Sequence, residues 1–314
     1  MNIEVPQISV VMCVYNERLS WIKESIRSIL EQTYSNFELI IIVDNPDISE
    51  QIKSYINIES QNDRRIKAIY NEANVGLAKS LNIGIACSNG KYIARMDADD
   101  ISINDRLQKE LNYLIETNAD VVACQRIIID EFGEKIGKSA LSIRNPEITL
   151  PVSNCICHPS VIFRRDSILD INGYRAFPKS QDYDLWLRFL AAGKKIVILN
   201  EYLIKYRIHE KSISSGNRLE QYYISEYQKK LYKQRLKYGN DNFTEEGLKN
   251  YLKKKHIDKR KNDRYCFARE LTDKAINSYR DRNFRFIIYF IYALFVFPEI
   301  PLKTIIAFYK FGIN

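Results

Sequence analysis

Four short, β-rich apolar runs alternate with segments of helical period over the first hundred residues, and that alternation restricts the fold more than any other feature. The runs are Ile8 to Val14, Phe37 to Val43, Arg65 to Tyr70 and Lys91 to Met96. Between them, Leu19 to Gln32, Ile48 to Ser60 and Val75 to Ala86 space their apolar residues for helices. Strands alternating with helices predict a parallel sheet covered on both faces. Ligands of such open sheets bind outside the carboxyl ends of the strands. Tyr15-Asn16-Glu17, Asp44-Asn45, Asn71 to Asn74 and Asp97 to Asp100 all fall at that edge. No G-x-G-x-x-G follows the first strand and no G-x-x-x-x-G-K-[ST] occurs, so neither a dinucleotide fingerprint nor a P-loop explains the site. Phosphates there would be held by metal and cationic side chains.

The fourth run empties into Asp97-Ala98-Asp99-Asp100. Like charges crowded into one turn raise one another's pKa, whereas a shared divalent cation relieves them and keeps positions open for phosphate. Taken alone, the same aspartates would also suit the N-terminus of a helix over Ser102 to Thr117.

A length of 314 residues with 46% hydrophobic content fits one large domain, or a catalytic domain with an appendage. The six cysteines show no C-x-x-C pair, which predicts free thiols in a reducing compartment and no zinc. Cys155-Ile156-Cys157-His158 lacks the second ligand pair that a structural zinc needs. The chain opens with Ile3-Glu4-Val5-Pro6 and no signal core, so a cytoplasmic location is expected. The formal charge of +8 is confined to one segment, since Lys229 to Arg264 carries thirteen Lys or Arg against five Asp or Glu. That confinement speaks against a nucleic-acid partner. It leaves open a solvated helix face or a contact with an anionic membrane surface.

The order Val10-Val11-Met12-Cys13-Val14-Tyr15-Asn16-Glu17, Asp44, Asn74-Val75-Gly76-Leu77 with Asn82-Ile83-Gly84, then Met96-Asp97-Ala98-Asp99-Asp100 resembles the successive signatures of glycosyltransferase family 2 over roughly residues 7–210. The resemblance implies an α/β fold of the GT-A type: a Rossmann-like, mixed, mostly parallel sheet flanked by helices. It also implies an inverting, nucleotide-sugar-dependent enzyme. On matching positions, Val14, Tyr15, Asn16 and Glu17 would meet the nucleobase, and Asp44 would accept from a uracil imide. Asn74 and Ala98 would line the donor site, Asp97 would approach ribose and metal, and Asp99 would ligate Mn2+ or Mg2+ bridging the donor phosphates. Arg95, Lys79 or Arg106 would add charge near the diphosphate, with surface salt bridges as the alternative for each. Two departures loosen the uracil expectation and leave thymidine or guanosine donors open. Cys13-Val14 replaces the common proline, and Asp44-Asn45-Pro46-Asp47 replaces the usual turn.

In the second half, Gln181-Asp182-Tyr183-Asp184 opens a helix of buried spacing. Inversion needs one carboxylate opposite the leaving group to take the acceptor's proton. Asp182 matches the family's base, with a helix N-cap as its other reading and Asp184 as the reserve candidate. Gln181 stands where the family more often has Glu and, like His158 before the strand Val161 to Phe163, would border the acceptor. His209 matches a closing loop, with Ser212 and Ser214, whose histidine in some relatives reaches the metal or the diphosphate. These signatures define a catalytic domain over 1–214 and a helical, basic C-terminal appendage over 215–314. Gln221 to Tyr238, Glu245 to Lys255 and Tyr265 to Tyr279 read as helices there. Phe286 to Phe297 gives twelve consecutive apolar residues, short of the roughly twenty that span a bilayer. Arg280, Arg282, Arg285, Lys303 and Lys310 flank it, and aromatics recur through Phe308 and Tyr309, which suits headgroup depth or a packed helical hairpin. The implied partners are a nucleotide-sugar donor and a saccharide or lipid-linked acceptor of surface polysaccharide synthesis. A sugar nucleotidyltransferase, which would open with a Gly-rich basic loop, and a non-catalytic scaffold, which would lose its acids, are the rivals.

Overall fold

A computed structural model describes residues 5–139, 145–209 and 217–311, with side chains as far as Ile305. The sheet begins as expected. β1 (Ile8–Val14), β2 (Phe37–Val43), β3 (Ile66–Tyr70) and β4 (Tyr92–Asp97) run parallel and are joined through α1 (Leu19–Leu30), α2 (Glu50–Asn62) and α3 (Leu77–Ala86). The chain continues with β5 (Ile101–Ser102), α4 (Arg106–Thr117), β6 (Val121–Ile129), β7 (Lys135–Lys138), α5 (Pro146–Thr149), β8 (Val161–Arg164), α6 (Arg165–Leu169), α7 (Gln181–Ala191) and β9 (Ile196–Arg207). The strand order is β3-β2-β1-β4-β8-β6-β9-β5, with β7 on β6. β8 is antiparallel to both β4 and β6, while β6 and β9 are parallel, so the sheet is mixed.

Both faces are covered, which is why the early strands read as continuous apolar runs. Val10, Met12 and Val14 share a core with Ile22 and Ile26 of α1 and Leu107 and Leu111 of α4. Val11 and Cys13 point the other way, into a core with Leu81 and Ile85 of α3 and Leu185, Trp186 and Phe189 of α7. Gly84 lets α3 approach β1, because a Cβ there would sit 2.4 Å from Val11 Cγ1. The helix expected from Ser102 starts only at Arg106. Ile101 and Ser102 pair instead with Lys205 and Ile204 of β9, and Gln32 Oε1 accepts the Leu107 N–H at 3.0 Å near the start of α4.

The chain divides into two compact units, Met1–Glu210 with Tyr232–Asp241, and Lys211–Leu231 with Asn242–Asn314. The later helices are α8 (Arg218–Tyr238), α9 (Glu245–Lys253), α10 (Lys259–Arg280), α11 (Arg285–Val296) and α12 (Glu299–Phe311). Leu219, Tyr223, Tyr265, Ala268, Phe297 and Ile300 form the core of the second unit. Among the described residues no helix is long and apolar enough to cross a membrane.

Candidate active site

Asp97 ends β4, and Asp99 and Asp100 follow in the turn before β5. One ligand atom from each of the three lies within 4.8 Å of the others. Arg95, two residues before Asp97 on the same face of β4, is fully buried and donates to the Asp97 carboxylate and the Met96 carbonyl. Burial raises the Asp97 pKa, and Arg95 opposes the rise. Asp100 has no exposed surface; its Oδ1 accepts the Arg207 N–H at 2.8 Å, and its Oδ2 is buried without a hydrogen-bond partner among the described residues. Burial, then Asp99 and Asp97, push the Asp100 pKa well above the ordinary carboxylate range.

Asp99 is held from two sides. Its carbonyl accepts from Arg207 Nε at 2.8 Å, and its Oδ2 lies 3.0 Å from His209 Nε2. The His209 ring rests on Trp21 with centroids 4.7 Å apart. Trp21 is fixed by its indole N–H to the Glu131 carbonyl at 3.1 Å, and Arg18 lies over its ring at 4.5 Å while pairing with Glu131 at 2.7 Å. Buried Arg207 reaches Glu24 at 2.6 Å and the carbonyls of Asp130 and Glu131. Three carboxylates, one carrying an orphaned oxygen, beside an imidazole nitrogen make a donor set that fits Mg2+ or Mn2+.

Two expected cations are elsewhere. Arg95 sits beneath Asp97 and does not reach outward, because a desolvated guanidinium needs partners on the spot. Arg106 is fully buried, paired with Glu110 at 3.0 Å and donating to the Arg95 carbonyl at 2.9 Å. Lys79 is exposed on α3.

Asp44, at the end of β2, organises the loop before α3. Its Oδ1 accepts from Asn71 Nδ2 at 2.8 Å and the Val75 N–H at 2.9 Å, and its Oδ2 accepts the Gly76 N–H at 2.8 Å. One lone pair of Oδ2 is left for a ligand. Gly76 takes φ 84°, a conformation that favours glycine, and its N–H also lies 3.0 Å from Asn74 Oδ1. Across the edge, Tyr15 and Asn16 are exposed, whereas the side chains of Val14 and Ala98 are buried, leaving only their backbone at the site. Glu17 Oε2 accepts the Tyr15 N–H at 2.8 Å, and burial, helped by the charges of Asp99 and Asp97, raises its pKa.

On the other side, Asp182 opens α7 and accepts from Asn154 Nδ2 at 2.8 Å. Burial raises its pKa; the Asn154 bond opposes this, and the nearby Asp97 charge adds to it. His158 Nε2 lies 2.8 Å from the Tyr174 hydroxyl, and burial, then Arg95, hold its pKa well below the usual value, so the ring is neutral near pH 7. Gln181, next to Asp182 in sequence, is buried. Asp184 is not brought to this edge. Both its oxygens are taken, by Arg175 and by Arg188 Nε at 2.8 Å, in a buried cluster that Arg175 extends to Asp241 at 2.7 Å. Its place as reserve base or acceptor contact is therefore withdrawn.

Sequence reasoning did not single out Asn154, Tyr174, Trp21 or Arg207. The only signal for Arg207 was its position two residues before His209; Trp21 reads as ordinary helix core. Ser212 and Ser214 lie outside the described residues.

Residues 9–170 match the family model described as glycosyl transferase family 2. Over 211 residues the chain is 39% identical to the O-antigen biosynthesis glycosyltransferase WbnJ of Escherichia coli, covering 65% of this chain and 81% of that one. Its fold is similar to S. aureus TarS 1-349 in complex with UDP-GlcNAc, with TM-score 0.60 and 19% identity over 78% of this chain and 70% of that chain. It is also similar to the mannosyltransferase PcManGT from Pyrobaculum calidifontis in complex with GDP-Man and Mn2+, with TM-score 0.57 and 14% identity over 80% and 69% of the two chains. The chain belongs to glycosyl transferase family 2.

Proposed function

We propose that the chain transfers one sugar, with inversion, from a nucleotide-diphosphate donor, favouring a UDP-sugar, to a hydroxyl of a saccharide or lipid-linked saccharide in surface polysaccharide synthesis. The catalytic domain would span 1–214 and the helical region 215–314. The observation that carries the proposal is the Asp97, Asp99 and Asp100 cluster at the end of β4, with one ligand atom of each within 4.8 Å of the others and His209 Nε2 3.0 Å from Asp99 Oδ2. The O-antigen role in the name of the 39% identical relative supports the acceptor class. One structural neighbour in complex with UDP-GlcNAc, and another with GDP-Man and Mn2+, support a nucleotide-diphosphate sugar donor and a divalent ion.

Asp99, with Asp97, Asp100 and His209 Nε2 beside it, would hold Mn2+ or Mg2+. Such an ion, when bound, offsets the negative charge that develops on the departing diphosphate. The chain's own residues do the rest. Tyr15, Asn16, Glu17 and Asn74 border the nucleoside, and the free lone pair of Asp44 Oδ2 accepts an imide N–H. Asp182 takes the proton of the acceptor hydroxyl as its oxygen bonds to the anomeric carbon and the bond from that carbon to the diphosphate oxygen breaks. A carboxylate whose pKa is raised by burial is the better base for this step. Asn154 holds Asp182 in place, and neutral His158 with Tyr174 and Gln181 forms the acceptor's border.

The test is thermal stability of the protein with UDP, dTDP, GDP or CDP, each with and without Mn2+, beside Asp99→Ala. Ligand at a hundred times its dissociation constant stabilises by about 2.7 kcal/mol. The expected outcome is a Mn2+-dependent shift with UDP that Asp99→Ala abolishes. No shift with any nucleotide would overturn the proposal.

A further inference from the structure

We infer that the outward face of α11 docks on an anionic lipid bilayer. The inference does not depend on the transfer chemistry. Phe284, Ile287, Ile288, Ile291, Tyr292 and Phe295 follow one another at the three- and four-residue spacing that lines a single helix face. All are exposed, Phe284 at 82%, Ile288 at 68% and Phe295 at 79%. The opposite side of the helix is already used: Ala293 is buried, and Phe286 meets the Tyr279 ring of α10 edge-on at 5.3 Å. Five exposed apolar side chains, with half-exposed Tyr292 beside them meeting the Phe267 ring of α10 edge-on at 5.8 Å, mark an interaction surface.

The charge around this face selects the partner. Arg280, Arg282 and Arg285 are exposed at its N-terminal end, and from Arg282 to Pro298 the sequence has no acidic residue. The unit that carries α11 holds nineteen Lys or Arg against ten Asp or Glu, a net of +9. The other unit is then left at −1 of the chain's +8. All the excess basic charge thus lies in the unit that exposes the apolar face. Its twelve residues span about 18 Å at 1.5 Å each, too short for a hydrocarbon core of about 30 Å, so the helix would lie along the interface. Isoleucine and phenylalanine side chains would enter the acyl boundary, Tyr292 would sit at headgroup depth, and the arginines would meet lipid phosphates.

Flotation of the full chain with phosphatidylcholine vesicles, with and without 30% phosphatidylglycerol, tests this. The protein should float with the anionic vesicles and not with the neutral ones, and high salt should weaken the binding. Ile288→Glu with Phe295→Glu, and separately Arg280→Glu with Arg282→Glu and Arg285→Glu, should each lower partitioning at least tenfold. A Tyr292→Trp variant should shift its emission to the blue on the anionic vesicles alone. The UDP and Mn2+ thermal shift should persist in the glutamate variants, which shows that they fold and separates this inference from the donor-site proposal. Absence of flotation, equal flotation of the glutamate variants, or a concentration-dependent dimer dispersed by Ile288→Glu, which would make a second copy the occupant, would each overturn the inference.

Discussion

Replacing Asp44 separates what its carboxylate does for the fold from what it does for a nucleotide. Three donors point at it: Asn71 Nδ2, the Val75 N–H and the Gly76 N–H. Two of them have a second acceptor in place, Ser80 Oγ at 3.0 Å for Asn71 and Asn74 Oδ1 at 3.0 Å for Gly76. Asp44→Ala therefore strands only the Val75 N–H outright. One unsatisfied donor plus weakened charge-assisted bonds should cost about 2–4 kcal/mol, well short of three full losses. Asp44→Asn keeps an amide oxygen at the Oδ1 position and should cost about 1 kcal/mol. Urea unfolding at constant m measures both. In Asp44→Asn the amide nitrogen stands where Oδ2 stood and presents a donor to the uracil imide, itself a donor. UDP binding should then weaken about tenfold, or about 1.4 kcal/mol, while CDP, whose ring nitrogen accepts, should bind better. A stability loss below about 0.5 kcal/mol in Asp44→Ala would refute the loop argument. An unchanged preference for UDP over CDP in Asp44→Asn would refute base reading.

Asp182→Asn should lower the transfer rate about 10²–10⁴-fold while leaving the UDP thermal shift intact; an undiminished rate removes Asp182 as the base. In the unaltered enzyme kcat/KM should fall on the acid side at a pH above the ordinary carboxylate range, because Asp182 must be deprotonated and burial raises its pKa. Arg106→Met should cost about 3–5 kcal/mol by leaving Glu110 charged and buried, whereas Arg106→Met with Glu110→Leu should be nearly neutral; equal losses in urea would contradict this. Asp100 has a folded pKa above its unfolded value of about 3.9, so the folded form binds the extra proton between the two. Without divalent ions, stability should therefore rise as pH falls through that window, and Asp100→Asn should lose this component of the slope; identical slopes would count against it.

The strands that form the donor edge were legible because they are buried on both faces and each leads into an acid or an amide. β6 and β9 were not. β9 carries Asn200 and Glu201 in its middle, where its register against Cys124 and Gln125 shifts, so no period survives there. β5 has two residues and exists only because β9 lies beside it. Asp182 and Asp184 look alike in sequence, both acids in the first turn of α7. At 3.6 residues per turn they point about 200° apart, so one meets Asn154 at the edge and the other the buried Arg175 and Arg188. Spacing gave the acid cluster, but no pattern joined Arg207 or Trp21 to it, since those contacts bridge residues more than a hundred apart.

The same charges that make the site suitable for an ion make it costly without one. Glu17, Asp97 and Asp100 all have pKa values raised first by burial. Arg95 is buried directly under Asp97, and Arg207 is committed also to Glu24. Even with Arg126, on which the Asp100 charge also acts, three guanidiniums face the four carboxylates Glu17, Asp97, Asp99 and Asp100, so the cluster must either keep protons or accept a cation. A divalent ion at Asp99 would compete with those protons, and its binding should release them. Mn2+ affinity, measured by calorimetry in buffers of different ionisation enthalpy, should therefore rise with pH across the window in which Asp100 titrates. Proton release equal to zero would mean that the acids are already ionised and that Arg95, Arg207 and Arg126 suffice to hold them.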